Sequence, residues 1–159
     1  MLGDLLRSRQ ERIGDRWFEL TLATYRSDAA QFMTAQKNPF ANPVGRHLDE
    51  DLRAVLSALL DDAAPEIICG HLEDIIKVRA IQEFTPAKAV CFVFLLKDAI
   101  RDVLGDEPQH REDLAALSDL ETRIDQVALF AFDIFAKCRE KVYSLRLNEI
   151  RKGYVQPSG

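Results

Sequence analysis

The sequence predicts an all-α protein with a long C-terminal helix, and three observations favour this fold class. Glycine (7) and proline (6) are scarce among the 159 residues, which argues against a β-protein rich in tight turns. Apolar residues recur at spacings of three and four along most of the chain, the period of an amphipathic helix. From Gln109 to Lys152 there is neither glycine nor proline to interrupt a helix.

Length and composition predict a single domain over residues 1–159 and exclude several classes of protein. Apolar residues make up 47% and charged residues 30%, a globular balance. The net charge of −5 disfavours a general nucleic-acid binder. No apolar run is long enough for a membrane span, and the N-terminus lacks the core of a signal peptide, so we expect a cytoplasmic protein. Three separated cysteines, without a CxxC pair, indicate buried thiols in a reducing compartment.

The N-terminal third predicts one long helix followed by an irregular segment. The first helix should run from about Asp4 to Thr24, because its apolar residues keep helical spacing. A short helix through Met33 follows, capped by Ser27 and Asp28. Residues 37–43 contain two Asn-Pro steps and should be irregular.

Prolines mark the beginnings of the next three helices. Asn42 and Pro43 form a cap and a first helical residue, and this helix should end near Leu60. Pro65 opens a helix that should reach Glu83. Thr85 and Pro86 again form a cap and a first helical residue, for a helix that should run unbroken to Leu104. Residues 89–96 of that helix are all apolar, so we expect other helices to cover it.

The last helix, over residues 109–152, carries a heptad-like apolar seam. At 1.5 Å per residue it would be roughly 60 Å long, whereas a compact chain of this size has a radius of gyration of only about 15 Å. It should therefore extend beyond its domain or be broken near Ser118. Extension predicts a homodimer through the seam, and the alternative is one ordinary helix across the core. The seam consists of Leu117, Leu120, Ile124, Val127, Ala131, Ile134 and Cys138.

Charge is unevenly distributed along this helix. Residues 137–159 form a basic helix end and tail, with six basic and two acidic residues, and this net +4 leaves −9 on the rest of the chain. A basic end suits an acidic partner or membrane headgroups. It also suits the negative end of the helix dipole, which is the simpler interpretation.

Catalytic and metal-binding patterns are weak. His47 and His71 each have an acid three residues later, so a haem- or metal-binding protein that uses either histidine is the alternative hypothesis. The di-iron signature is Glu-x-x-His, whereas here each histidine precedes the acid. This reversed order argues against that metal site, and we expect no cofactor. Neither a phosphate-binding loop nor a nucleophile motif occurs, so we expect no enzyme.

Two junctions resemble a known family. The segments Phe40-Ala41-Asn42-Pro43-Val44-Gly45 and Arg79–Val90, followed by residues 94–97, resemble the N-terminal domain of RsbT co-antagonist proteins of the RsbRD type. That domain also occurs in front of bacterial sensor histidine kinases. The resemblance covers roughly Leu5 to Val142, although Thr85 and Lys88 replace the more usual serine and glutamine.

The resemblance implies a globin-like helical bundle without haem. It implies a non-enzymatic sensor domain that forms a homodimer and regulates a bacterial stress response. The signal would pass through the C-terminal helix to a regulatory protein, a kinase or an anti-sigma antagonist module. No such output domain is among these 159 residues. A stand-alone module and a piece of a longer protein therefore both remain open.

The motif residues have structural and ligand-binding interpretations. Asn42, Pro43, Gly45, Thr85 and Pro86 should shape the two junctions, with Asn42 and Thr85 as caps. A buried Arg79 requires carboxylate or carbonyl partners nearby. The ligand-binding alternative is a pocket for an anion between the fourth and fifth predicted helices. Its residues are Arg79, Gln82 and Lys97.

Overall fold

The computed structural model describes residues 1–25, 43–82 and 84–155, with only the backbone described at Pro43, Tyr154 and Val155. Every regular element in these ranges is a helix, which confirms the predicted all-α class with a long C-terminal helix. The helices are α1 (Leu2–Ser8), α2 (Gln10–Leu22), α3 (Pro43–Leu60), α4 (Pro65–Ile81), α5 (Pro86–Val90), α6 (Phe92–Leu104) and α7 (Arg111–Val155).

Five helices form a closed ring around one core. Helix α2 packs on α3, α3 on α4, α4 on α7, α7 on α6, and α6 returns to α2. Each contributes at least one fully buried side chain, because each has an apolar face of helical period. These buried side chains include Trp17, Leu52, Leu72, Phe92 and Ile124.

The predicted proline starts are confirmed. Pro43, Pro65 and Pro86 are the first residues of α3, α4 and α5. Thr85 is extended, and its side chain accepts a hydrogen bond from the backbone N–H of Lys88 at 3.3 Å. The Asn42 cap, the irregular segment before it and the short helix through Met33 fall outside the described residues.

The single first helix that the sequence predicts is instead two helices. Arg9 leaves the helical conformation (φ −106°, ψ 4°) and separates α1 from α2. The arginines at this turn bind elsewhere: Arg7 donates to the Leu60 carbonyl and to Asp61, and Arg9 donates to Glu107. The break lets α1 bury Leu2 and Leu6, so tertiary contacts outweigh local helix propensity here.

The helix predicted over 86–104 is also divided, at Cys91. Arg79 donates to the carbonyls of Lys88 and Ala89, and Trp17 Nε1 donates to the carbonyl of Phe92 at 2.7 Å. The ladder donors to the Lys88 and Ala89 carbonyls would be the N–H groups of Phe92 and Val93, so Arg79 competes with the ladder across the break and explains it. The coverage of α6 is also less complete than expected, since the Phe94 ring is 45% exposed.

Helix α7 is continuous from Arg111 to Val155, so the suggested break near Ser118 does not occur. Its 45 residues correspond to about 67 Å at 1.5 Å per residue. Packing on the core ends near Cys138, and every residue of 140–153 is exposed except the half-buried Val142. The helix therefore extends beyond the bundle, as its length predicted. In the described part of the chain, no helix has the length and apolar character needed to span a membrane.

Candidate functional site

Arg79 is fully buried at the end of α4 and binds carbonyls, one of the two partner types expected for it. Its Nη1 donates to Lys88 O at 3.0 Å and to Ala89 O at 3.4 Å, and its Nη2 donates to Thr24 Oγ1 at 3.0 Å. Its guanidinium also lies 4.8–4.9 Å from three aromatic ring centroids, those of Tyr25, Phe84 and Phe92. We call Arg79 and these three rings the arginine cage.

The arginine cage joins the ends of α2 and α4 to α5 and α6. Tyr25 packs edge-to-face on Phe84, with centroids 5.5 Å apart, and Phe92 stacks on Trp17. The cation–π contacts and hydrogen bonds to carbonyls compensate for removing the guanidinium from water. Within the described residues, Arg79 forms no ion pair with a carboxylate, and its Nε is buried without a hydrogen-bond partner.

Of the other two predicted ligand-binding residues, Lys97 has a partner inside the chain, whereas the Gln82 side-chain oxygen is buried without a hydrogen-bond partner among the described residues. Lys97 on α6 forms an ion pair with Asp125 on α7, and its Nζ lies 5.4 Å from the Phe94 ring centroid. Gln82 follows α4, and its backbone carbonyl accepts from Arg139 at 3.3 Å. Arg79 and Lys97 thus contact different elements. An anion-binding pocket that uses both stays a prediction.

The predicted dimer seam lies largely inside the chain's own core. Leu120, Ile124, Val127 and Ala131 are buried, while Leu117, Ile134 and Cys138 are half-buried and pack against the same core. They face the packed side of α7, where α4, α5 and α6 lie. This burial favours other residues of α7 as the surface for a second copy, and the dimer itself stays a prediction.

A second apolar line on α7 is exposed instead. It comprises Leu129, Phe132, Tyr143, Leu147 and Ile150, all between 49% and 68% exposed. The steps of 3, 11, 4 and 3 residues place them on one helix face about 31 Å long, at 1.5 Å per residue. We call this set the α7 strip. It begins on the bundle and continues onto the extended end.

Among the described residues, Arg139 is the last one of α7 that hydrogen-bonds to the bundle. Its Nη2 donates to Phe84 O at 3.0 Å as well as to Gln82 O, and its guanidinium lies 4.9 Å from the Phe135 ring centroid. It also lies 6.0 Å from the Tyr143 centroid. Arg139 therefore connects α7 to the segment that supplies Phe84 to the arginine cage.

Sequence reasoning counted Arg139 only as part of the basic helix end. The available signal was its spacing, because Phe135 and Tyr143 stand four residues before and after it on one helix face. Its carbonyl partners between α4 and α5 could not be read from spacing alone.

The two histidines of the alternative hypothesis do not form a metal centre in the described structure. His47 is exposed at the start of α3, with Nδ1 3.9 Å from Glu50, and His71 is half-buried on α4. Among the described residues, no three His, Cys, Asp or Glu side chains gather in a group that could hold a metal ion. An exposed His47 also lacks the apolar enclosure of a haem ligand.

Comparison with known proteins agrees with the resemblance seen at the two junctions. The family model described as the RsbT co-antagonist protein rsbRD N-terminal domain matches residues 11–150. This range contains α3–α6, the arginine cage, Arg139 and the α7 strip. No curated protein and no solved structure gives a significant match. The chain belongs to the RsbRD N-terminal domain family, a family of regulatory co-antagonist domains.

Proposed function

We propose that this chain is a sensory domain that forms a homodimer and relays its state to a partner protein through α7. The observation that carries the proposal is the α7 strip, which runs from the packed half of the helix onto its extended end. Regulatory family membership supports the general role. An enzymatic role is not proposed, because the family is not one of known enzymes.

The extended end of α7 favours association. Residues 140–155 form about four turns of helix beyond the bundle, and an isolated helix of that length is marginal in water. Exposed Tyr143, Leu147 and Ile150 leave apolar surface in solvent. Burying it against a second copy would stabilise the helix, since apolar burial contributes roughly 25 cal/mol per Å².

Arg139 can transmit a structural change from the bundle to the extended end of α7. A change in the arginine cage that moved Phe84 would also move the carbonyl that Arg139 binds. Arg139 and Tyr143 are one turn apart, so this displacement would reach the α7 strip directly. The cage, the junction between α4 and α5, and α7 therefore form one contiguous set of contacts.

The proposed downstream partner is a regulatory protein, either a kinase or an anti-sigma antagonist module. The family description names a co-antagonist of RsbT, which supports a protein partner. The net +4 of residues 137–159 favours an acidic surface on that partner.

Light scattering coupled to size-exclusion chromatography tests the homodimer. We expect a dimer at micromolar concentration and a folded monomer for Leu147→Glu combined with Ile150→Glu. Ser144→Glu combined with Asn148→Glu is the matched control, because it adds the same two charges to exposed positions off the strip and should leave the dimer intact. A wild-type monomer at all accessible concentrations would refute the homodimer.

The same measurement distinguishes the α7 strip from the seam through Ile124 as the interface. Ile124→Glu places a charge at a fully buried position of the core, so it should unfold the bundle rather than produce a folded monomer. Circular dichroism distinguishes these two results. A folded, monomeric Ile124→Glu would restore the seam as the interface.

A further inference from the structure

A groove of about 460 Å³ lies between α3 and α4, within the range of small-molecule sites. Its walls are mainly apolar. Val44 and Leu48 line it from α3, Ile75 and Val78 line it from α4, and Tyr25 also contributes to the lining. Such walls suit a hydrocarbon or aromatic body, because contact with them removes apolar surface from water.

Two carboxylates face this groove. Asp51 on α3 and Asp74 on α4 both line it, and they lie close enough to repel each other. In the part of the chain that the structure describes, neither carboxylate forms a salt bridge. Salt bridges do engage the following aspartates: Asp15, Asp49, Asp61, Asp62, Asp102 and Asp125.

His47 and Lys77 also line the groove, and Lys77 attracts Asp74 as well as Glu73. Arg46 and His47 both contact Glu50, and Lys77 binds Glu73 at 3.2 Å. The described charges around the two carboxylates therefore leave a local excess of negative charge.

The surroundings of Asp51 disfavour its ionised form, and a nearby cation would stabilise that form. Burial raises the pKa of Asp51, and Asp74 and Glu50 raise it too, while His47 and His71 lower it. A bound cation would oppose both the burial and the repulsion from Asp74. An anion would add to the repulsion, and a neutral apolar molecule would desolvate both carboxylates without pairing them.

We propose that the groove between α3 and α4 binds an organic ammonium ion, with its nitrogen between Asp51 and Asp74 and its apolar body against Val44, Leu48, Ile75 and Val78. A hard divalent metal fits less well. Calcium takes six to eight oxygen ligands, and the groove offers two carboxylates among apolar walls. An ammonium group instead donates charge-assisted hydrogen bonds to the carboxylates.

Binding here has a regulatory consequence that rests on the proposed function. The ligand would bridge α3 and α4, and α4 both carries Arg79 and packs along α7. Occupancy would therefore bias the helix that holds the arginine cage. Binding itself does not depend on that consequence, so the two can fail separately.

Isothermal titration calorimetry on the full chain tests the site with two probes, 2-phenylethylammonium and hexylammonium. The neutral controls are 2-phenylethanol and 1-hexanol, which keep the apolar bodies and lose the charge. We expect saturable one-to-one binding of at least one ammonium probe. We also expect at least tenfold weaker binding of the corresponding alcohol.

Variants locate the binding site. Asp51→Asn combined with Asp74→Asn should lower the affinity for the ammonium probe at least tenfold. The matched control removes two exposed carboxylates of α7, Asp119→Asn with Asp133→Asn, and should retain wild-type affinity. Val78→Trp fills the groove and should also abolish binding, which keeps the test decisive if the double asparagine variant does not fold.

Three results would overturn the proposal: neither ammonium probe binds, the alcohols bind equally well, or the folded groove variants bind like wild type. Light scattering on the same samples measures the homodimer independently. A dimer without ammonium binding rejects the groove alone, and ammonium binding by a monomer rejects the proposed homodimer alone.

Discussion

Replacing Arg79 by methionine removes the guanidinium from the arginine cage while keeping most of the volume of the side-chain stem. The variant loses the two 3.0 Å hydrogen bonds to Lys88 O and Thr24 Oγ1. It also loses the longer, 3.4 Å hydrogen bond to Ala89 O. Three cation–π contacts disappear with them. The substitution also removes a buried charge, whose desolvation opposes folding.

The magnitude follows from these opposing contributions. Hydrogen bonds to a charged group contribute about 1.5–3 kcal/mol each, net of water, so the two short bonds contribute about 3–6 kcal/mol. The thioether recovers part of the packing against the rings. The carbonyls left without donors destabilise the variant further, whereas removal of the buried charge stabilises it. We expect Arg79→Met to lower the free energy of unfolding by about 3 kcal/mol.

Arg79→Lys sharpens this prediction because it keeps the charge. An ammonium lacks the planar fork that reaches several partners, so lysine should be less stable than methionine. Urea unfolding at fixed protein concentration, followed by circular dichroism, measures all three proteins. Arg46→Met, which removes an exposed ion pair with Glu50, is the control and should cost less than about 1 kcal/mol. A methionine variant as stable as wild type, or a lysine variant more stable than methionine, would refute this reasoning.

Three further substitutions test local features of the bundle. A Cβ at Gly14 would lie 2.7 Å from Arg53 Nη1. Gly14→Ala should therefore stabilise the helix by about 1 kcal/mol only when Arg53 is also replaced by alanine. A double-mutant cycle of urea unfolding measures this difference. Thr85→Ala removes the α5 cap and should cost about 1 kcal/mol by the same assay. The folded-state pKa of Asp51 is raised, so its ionisation opposes folding above that pKa. Asp51→Asn should therefore raise the melting temperature at pH 7, and the difference should vanish below the ordinary aspartate pKa of 3.8.

Each of these predictions has a contradicting result. Equal effects of Gly14→Ala in both backgrounds would mean that Arg53 does not contact this site. An unchanged Thr85→Ala would exclude the cap. Stabilisation by Asp51→Asn that persists below pH 3.8 would have a cause other than ionisation, and exposed Asp133→Asn is the matched control.

Helix beginnings were predictable from sequence because their determinants are local. Pro43, Pro65 and Pro86 fix the backbone at the first helical position, and Thr85 needs only the N–H three residues later. The breaks at Arg9 and Cys91 were not predictable, because distant partners cause them. The Cys91 break depends on the Lys88 and Ala89 carbonyls, which Arg79 binds from another helix.

The two apolar faces of α7 show where periodicity stops being informative. The seam through Ile124 and the α7 strip through Phe132 both have helical spacing. Only the packing of α4 and α6 decides that the seam is buried and the strip exposed. Similarly, the spacing of Arg139 placed it near two aromatic rings but could not reveal the carbonyls of Gln82 and Phe84.

Amide hydrogen exchange along α7, measured over a range of protein concentrations, tests most directly whether the extended end is an interface. Residues 140–153 are exposed except for the half-buried Val142, so we expect strong protection there to come from a second copy. We expect slow exchange in this segment at high protein concentration and fast exchange on dilution, while residues 120–135 stay protected throughout. Fast exchange in 140–155 at every concentration, or protection that dilution does not change, would contradict the proposed homodimer through the α7 strip.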